Sequence, residues 1–186
     1  MHKAVKRALT VEEIQTYRRD GVVLVRELVD PNSVGELQEL VDQNIAQPST
    51  MVRDINESGG TGNFFGDTFV CHHIAGFRSF IFDSPAADVV SACMGSSRVN
   101  LIFDQVLTKE PGTSTRTAWH HDAPYWPVAG DMIATVWVAL DPVTYDTDAV
   151  EYVKGSHRWG KRFAAVSFSP GETYHESLEP VPDIDN

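Results

Sequence analysis

The sequence predicts a mainly β fold that begins with helices, an α+β class. Two helical patterns with capping signals stand near the N-terminus. The second half contains several short strand patterns divided by turn signals, which is typical of a sandwich, a barrel or a jelly roll. We therefore expect the N-terminal helices to pack outside one sheet of a β structure.

The first elements of the chain are predicted from local signals. Thr10 can cap a helix, and Glu13, three residues later, can close a capping box. This helix should end near Asp20-Gly21. Val22 to Val25 is apolar and mostly β-branched, which predicts a short buried strand. Asp30-Pro31 then opens a second helix, since proline is favoured at the first helical position.

The middle of the chain is predicted to be a long loop followed by packing elements. Residues 47–66 are rich in Gly, Ser and Asn, which is typical of a functional or disordered loop. Phe64 to Val70 predicts a strand or pocket wall. Cys71-His72-His73 is a poor metal site, because adjacent histidines cannot share one strand face. Phe77 to Phe82 and Ala86 to Met94 predict two helices.

The second half predicts the β part of the fold. Alternating or β-branched runs are separated by breakers such as Glu110-Pro111-Gly112 and Asp141-Pro142. The predicted strands are Val99 to Thr108, Arg116 to His121, Met132 to Leu140 and Ala149 to Val153.

Composition limits the classes of function. With 186 residues, 42% of them hydrophobic, the chain can bury one core, and we expect a single domain over residues 1–186. A net charge of -11 argues against nucleic acid and against an anionic membrane surface as partners. No apolar run reaches the roughly 18 residues of a membrane span. Two cysteines without a C-x-x-C pair fit a reducing, cytoplasmic location.

His120 and Asp122 are the candidate metal ligands. They lie in Trp119-His120-His121-Asp122, followed by Tyr125-Trp126-Pro127. On a β-strand, residues i and i+2 project from the same face, so the spacing would place an imidazole beside a carboxylate. These are two corners of the 2-His-1-carboxylate triad that binds non-haem Fe(II). A polar surface loop is the competing interpretation of so short a pattern.

An ordered set of motifs resembles the phytanoyl-CoA dioxygenase family of Fe(II)/2-oxoglutarate oxygenases. It consists of Trp119-His120-His121-Asp122 through Pro127, then Trp137-Val138-Ala139-Leu140, Gly155-Ser156-His157 and Trp159-Gly160. The helix, strand and helix pattern at the N-terminus is also similar to that family. The resemblance covers nearly the whole chain.

The resemblance implies a double-stranded β-helix, a cupin-like jelly roll, in which His120 and Asp122 bind Fe(II) and serve catalysis. It implies 2-oxoglutarate as co-substrate, O2, and a small organic substrate that becomes hydroxylated while 2-oxoglutarate yields succinate and CO2. Gln105 and Trp137 stand where family members contact 2-oxoglutarate, although core packing is an alternative for both. His157 corresponds to a turn residue and not to a ligand.

The chain departs from the family pattern at its end. The family supplies a third ligand from a late histidine and, about ten residues later, an arginine for the 5-carboxylate of 2-oxoglutarate. Here the last histidine is His175, in an acidic, loop-like segment, and the last arginine is Arg162. We therefore expect a domain that lacks its C-terminal strands, and weak iron binding by residues 1–186 alone.

An inactive binding module is an alternative function, whereas a metal phosphohydrolase is excluded. A catalytically inactive domain could act as a binding module, because a half-closed sheet exposes edges that favour pairing with another chain, including a homo-oligomer. A helical phosphohydrolase with a His121-Asp122 doublet is excluded, because Pro124 and Pro127 make this segment a poor helix.

Overall fold

The computed structural model describes residues 7–55, 62–113, 116–147, 149–166 and 177–185. This part of the chain is a mixed helix and sheet structure with five α-helices and a three-stranded sheet. It divides into two compact units. The first unit comprises residues 1–52, 67–106 and 134–159, and the second comprises residues 53–66, 107–133 and 160–186. The single domain stays a prediction.

Helix α1 (Val11–Asp20) forms where the capping box predicts it. Thr10 Oγ1 accepts the N–H of Glu13 at 3.1 Å, and Glu13 Oε2 accepts the N–H of Thr10 at 2.8 Å. The helix ends at Gly21, whose φ of +79° suits a residue without Cβ. The N–H of Gly21 donates to the carbonyl of Tyr17. Local hydrogen bonds thus define both ends.

Helix α2 (Pro31–Ala46) also begins at the predicted residue. The Asp30 carboxylate accepts the N–H groups of Asn32 and Ser33 at 3.0 and 3.1 Å. These donors are among those that a helix N-terminus leaves without intrahelical partners, so the carboxylate stabilises the first turn. Leu37 and Asn44 are buried on one side of this helix.

Three more helices complete the helical part of the first unit. They are α3 (Val70–His73), α4 (Ala75–Asp83) and α5 (Ala86–Met94), so the predicted helices at 77–82 and 86–94 are confirmed. Helix α4 packs against α2, α3 and α5. Buried apolar side chains of this unit are Leu37, Val70, Cys71, Ile74, Phe77, Cys93 and Val106.

None of the described helices has the length and apolarity that crossing a bilayer requires. The cytoplasmic location stays a prediction.

The sheet has the order β1-β2-β3, with β1 at Arg53–Asp54, β2 at Phe64–Thr68 and β3 at Gln105–Lys109. Strand β1 runs antiparallel to β2 and places Arg53 opposite Gly66. The strand predicted at Phe64–Val70 is confirmed for its first five residues. Of the strand predicted at Val99–Thr108, only the last four residues form a strand, as part of β3.

Four predicted strands are wrong within the described residues. Residues 22–25, 116–121, 132–140 and 149–153 contain no regular strand. Strand preference is weak without a hydrogen-bonded partner, and side chains take some of the main-chain groups instead. The carbonyl of Leu140, for example, accepts from Gln38 Nε2 at 2.8 Å. The double-stranded β-helix therefore stays a prediction.

A buried carboxylate joins β2 to the end of α2. Asp67 has no exposed surface, and it accepts from Asn44 Nδ2 and from the N–H of Ser49, both at 2.8 Å, and from the hydroxyl of Ser49. Burial by itself would raise the pKa of Asp67, but the hydrogen bonds from Ser49 and Asn44 outweigh burial and lower it. The ionised carboxylate is therefore the form that the fold stabilises.

We predict that Asp67→Ala lowers the free energy of unfolding by about 3 kcal/mol, because it leaves buried donors on Asn44 and Ser49 without their acceptor. Asp67→Asn should lower the free energy of unfolding less, since one amide oxygen can still accept the bonds from Asn44 Nδ2 and from the N–H of Ser49. Urea denaturation measures both losses. The control is Asp146→Ala at an exposed position, which should change stability by less than about 0.5 kcal/mol. Equal losses for Asp67→Ala and the control would contradict the structural role.

The Arg7–Glu13 ion pair predicts a dependence on pH. Arg7 donates to both carboxylate oxygens of Glu13, at 2.6 and 2.8 Å. This hydrogen bonding, followed by the bond from the N–H of Thr10, lowers the pKa of Glu13 from 4.5 to about 2. The folded state thus binds a proton on the Glu13 carboxylate more weakly than the unfolded state does. The contribution of Glu13 to the stability of the fold is fully present above pH 4.5 and is lost as the pH falls through about 2.

The stability of the wild type should therefore decrease more steeply over that pH window than the stability of Glu13→Gln. Chemical denaturation at a series of pH values measures the difference. Glu12→Gln, a substitution in the same helical turn, is the control and should keep the wild-type slope. A Glu13→Gln variant with the wild-type slope would refute the assignment.

Candidate metal centre

The His120–Asp122 pair lies in the second unit at a turn of the backbone. Asp122 has helical dihedral angles, φ -73° and ψ -29°, and a 3₁₀ turn follows at Ala123–Tyr125. Buried Pro124 occupies the second position of that turn. The prediction that these two residues share one face of a strand is therefore wrong, because the chain bends at Asp122 instead of continuing as an extended segment.

The turn nevertheless brings the two side chains together. His120 Nε2 lies 3.5 Å from Asp122 Oδ1, and the side chains are 27% and 41% exposed. Ligands at adjacent corners of an octahedron are about 3.0 Å apart when metal–ligand bonds are about 2.1 Å long. A small movement would therefore let one ion bind both atoms, and the partial exposure leaves a route for that ion. The pair fits two corners of an iron site.

A main-chain hydrogen bond orients the imidazole of His120. Its Nδ1 lies 2.8 Å from the carbonyl oxygen of Ala118. A carbonyl oxygen can only accept, so Nδ1 carries the proton of this bond. The lone pair of the neutral ring is then on Nε2, the atom beside Asp122. Metal-binding histidines commonly have this arrangement, since a bond from the other nitrogen fixes tautomer and orientation.

The same contacts set the charge of the pair. Burial lowers the pKa of His120, but the hydrogen bonds to Asp122 and to the Ala118 carbonyl raise it more, and the net pKa lies above its usual value. Without a metal, a proton on Nε2 is therefore held more tightly than on a free imidazole. A cation that binds there displaces this proton, as metal binding to histidine generally does.

The neighbours of the pair form bonds that the sequence did not predict. His121 Nε2 accepts the N–H of Phe163 at 2.9 Å, and the Tyr125 hydroxyl binds the main chain of Val166. Trp119 Nε1 donates to Asp185 Oδ1 at 3.0 Å. No local pattern marks these partners, because they lie about 40 or more residues away.

The two candidate co-substrate residues lie in the first unit. Gln105 is the first residue of β3 and is exposed. Trp137 is 46% exposed and lies in a segment without regular secondary structure. Their roles stay predictions.

A third protein ligand is not found in the described ranges. No group of three or more His, Cys, Asp or Glu side chains within them could hold a metal ion. His175 lies outside the described residues. His157 lies in the 3₁₀ turn Ser156–Arg158 of the first unit, with its ring against Gly21, so its prediction as a turn residue is confirmed.

Comparisons with known proteins find similarity over most of the chain. The family model of phytanoyl-CoA dioxygenase (PhyH) matches residues 17–184. Ectoine dioxygenase of Bordetella bronchiseptica is 25% identical over 188 aligned positions, which cover 95% of this chain and 59% of the relative. Ectoine dioxygenase of Bordetella parapertussis is 24% identical over the same shares. The chain thus spans about three fifths of the length of these relatives. No solved structure matches it significantly.

Proposed function

The chain belongs to the phytanoyl-CoA dioxygenase (PhyH) family, and on that premise we propose that it acts as an Fe(II)/2-oxoglutarate-dependent dioxygenase. In the proposed reaction, one atom of O2 enters a C–H bond of a small organic substrate as a hydroxyl group. The other atom enters 2-oxoglutarate, which loses CO2 and becomes succinate. The substrate, the co-substrate and O2 are the proposed partners.

The geometry of His120 carries this proposal. Its Nε2 faces the Asp122 carboxylate at 3.5 Å while Nδ1 is held by the Ala118 carbonyl. An imidazole and a carboxylate so arranged are the donors that non-haem Fe(II) takes from a facial triad. We assign both residues as metal ligands and catalytic residues. Bound Fe(II) would supply the O2 chemistry, and the protein would orient the reactants and exclude water.

Gln105 and Trp137 are proposed to contact 2-oxoglutarate. An amide side chain can donate to a carboxylate or keto oxygen, and an indole offers both an N–H donor and an apolar face. Trp137 is 46% exposed, so a bound ligand would cover apolar surface that water now contacts.

The class of substrate follows from the relatives only in part. Both are ectoine dioxygenases at 24–25% identity. This supports the reaction class and a small organic substrate, while the same fold accommodates many substrates. We therefore propose no individual compound.

We predict that the 186-residue chain binds one Mn(II), used in place of air-sensitive Fe(II), with low affinity. Both His120→Ala and Asp122→Ala should raise the Kd at least about tenfold, because each removes a direct ligand and even loss of an outer contact commonly costs that much. Electron paramagnetic resonance titration of unbound Mn(II) measures the Kd. His73→Ala is the control, since that exposed imidazole binds the carbonyl of Gln47. Wild-type affinity in both alanine variants would remove the pair from the site.

A second prediction concerns the co-substrate. With Mn(II) present, Trp137→Phe and Gln105→Ala should weaken 2-oxoglutarate binding severalfold and leave the metal Kd unchanged, because neither residue is a metal ligand. Isothermal titration calorimetry measures both constants. Trp159→Phe is a matched control, since Trp159 is 44% exposed and Trp137 is 46% exposed. If the two tryptophan variants bind 2-oxoglutarate equally well, Trp137 has no specific role.

A further inference from the structure

The main chain of residues 163–166 is held by two side chains close to the His120–Asp122 pair in the sequence, those of His121 and Tyr125. His121 Nε2 accepts the N–H of Phe163 at 2.9 Å. The Tyr125 hydroxyl accepts the N–H of Val166 at 2.8 Å and donates to the carbonyl of Val166 at 2.6 Å. A hydroxyl can make both bonds at once, since it has one hydrogen and two lone pairs. Tyr125 thus takes the place of a neighbouring strand for this residue.

The ring of Tyr125 packs against the imidazole of His120, a proposed metal ligand. The rings of Tyr125 and His120 lie edge to face, with centroids 6.0 Å apart and planes inclined at 83°. A tyrosine ring is positioned by two side-chain torsions, so anchoring the hydroxyl restricts the whole ring. The two bonds to Val166 therefore determine where the surface that contacts His120 lies.

His120 needs such a contact. Its bond from Nδ1 to the Ala118 carbonyl fixes one point of the ring. The contact between Nε2 and Asp122 is longer, at 3.5 Å, and restrains the ring weakly, so the imidazole can still tilt about the line that joins Nδ1 to the carbonyl oxygen. The Tyr125 ring opposes that tilt from the side, and so keeps Nε2 directed at Asp122.

We propose that Tyr125 is a positioning residue of the metal centre, which fixes the imidazole of His120 by connecting it to the main chain of Val166. The consequence for metal affinity rests on the proposed function, whereas the coupling between Tyr125 and His120 exists in the metal-free protein. If Tyr125 served only to pack the second unit, its ring would suffice and its hydroxyl would be dispensable. The substitution that separates these roles is Tyr125→Phe.

The experiment compares wild type, Tyr125→Phe and Tyr145→Phe. Tyr145 is 83% exposed in the 3₁₀ turn Tyr145–Thr147, so its variant controls for the loss of a tyrosine hydroxyl. In the metal-free proteins, NMR with ¹⁵N-labelled histidine, assigned through His120→Gln, reports the ring of His120. Amide hydrogen exchange reports the N–H of Val166. Mn(II) titration reports the Kd.

For Tyr125→Phe we expect shifted or broadened His120 ring resonances, exchange of the Val166 amide about tenfold faster, and a Mn(II) Kd raised about tenfold, the size typical of a lost outer contact. Tyr145→Phe should match wild type in its His120 resonances, in the exchange rate of the Val166 amide and in its Mn(II) Kd. Unchanged His120 resonances in a folded Tyr125→Phe variant would overturn the proposal. So would shifted resonances with a wild-type Kd, provided that His120→Ala loses the metal.

The two proposals fail in different ways. If wild type itself binds no Mn(II), the proposed function is contradicted, while the resonances of metal-free Tyr125→Phe still decide whether Tyr125 positions His120. If Tyr125→Phe does not fold, wild type alone provides the test. Saturation with Zn(II) should then shift the ring resonances of Tyr125 together with those of His120, and a Tyr125 ring unaffected by Zn(II) would overturn the positioning role.

Discussion

The hydrogen bond between His120 Nδ1 and the Ala118 carbonyl is the interaction on which the candidate centre depends. At 2.8 Å it decides which ring nitrogen carries the proton, and thereby which nitrogen faces the Asp122 carboxylate. Without it, the ring could present either nitrogen to Asp122. The turn at Asp122 supplies the carboxylate, and Tyr125 supports the imidazole from its side. A main-chain contact thus gives His120 the orientation that metal-binding histidines commonly have.

Helices α1 and α2 could be predicted from the sequence because the determinants of their first turns are local, whereas α3 was not predicted. Thr10 and Glu13 bond to each other's main chain, and Asp30 bonds to the two residues after Pro31. All of these partners lie within three residues of one another. The buried bond from Asn44 to Asp67 spans 23 residues, and no local pattern indicates it.

The predicted strands failed where the main chain found other partners. The carbonyl of Leu140, the last residue of one predicted strand, accepts from a glutamine side chain 102 residues away, and β-propensity contains no information about such a partner. The proximity of His120 and Asp122 was predicted, but for the wrong reason, since a turn and not a strand produces it. Pro124 two residues after Asp122 is a local signal of a turn start that could have corrected the prediction. The sequence therefore predicted that the two side chains lie close together but not the turn that brings them there, and their role as metal ligands stays a prediction.

The most direct test of the central claim is ¹⁵N NMR of the histidine side chains during titration with Zn(II), a diamagnetic substitute for Fe(II). We expect the Nε2 resonance of His120 to move to the metal-bound range while its Nδ1 keeps a proton bonded to Ala118. His73, whose ring binds the carbonyl of Gln47, should not respond. If both nitrogens of His120 keep their metal-free shifts at saturating Zn(II), His120 is not a metal ligand and the account is contradicted.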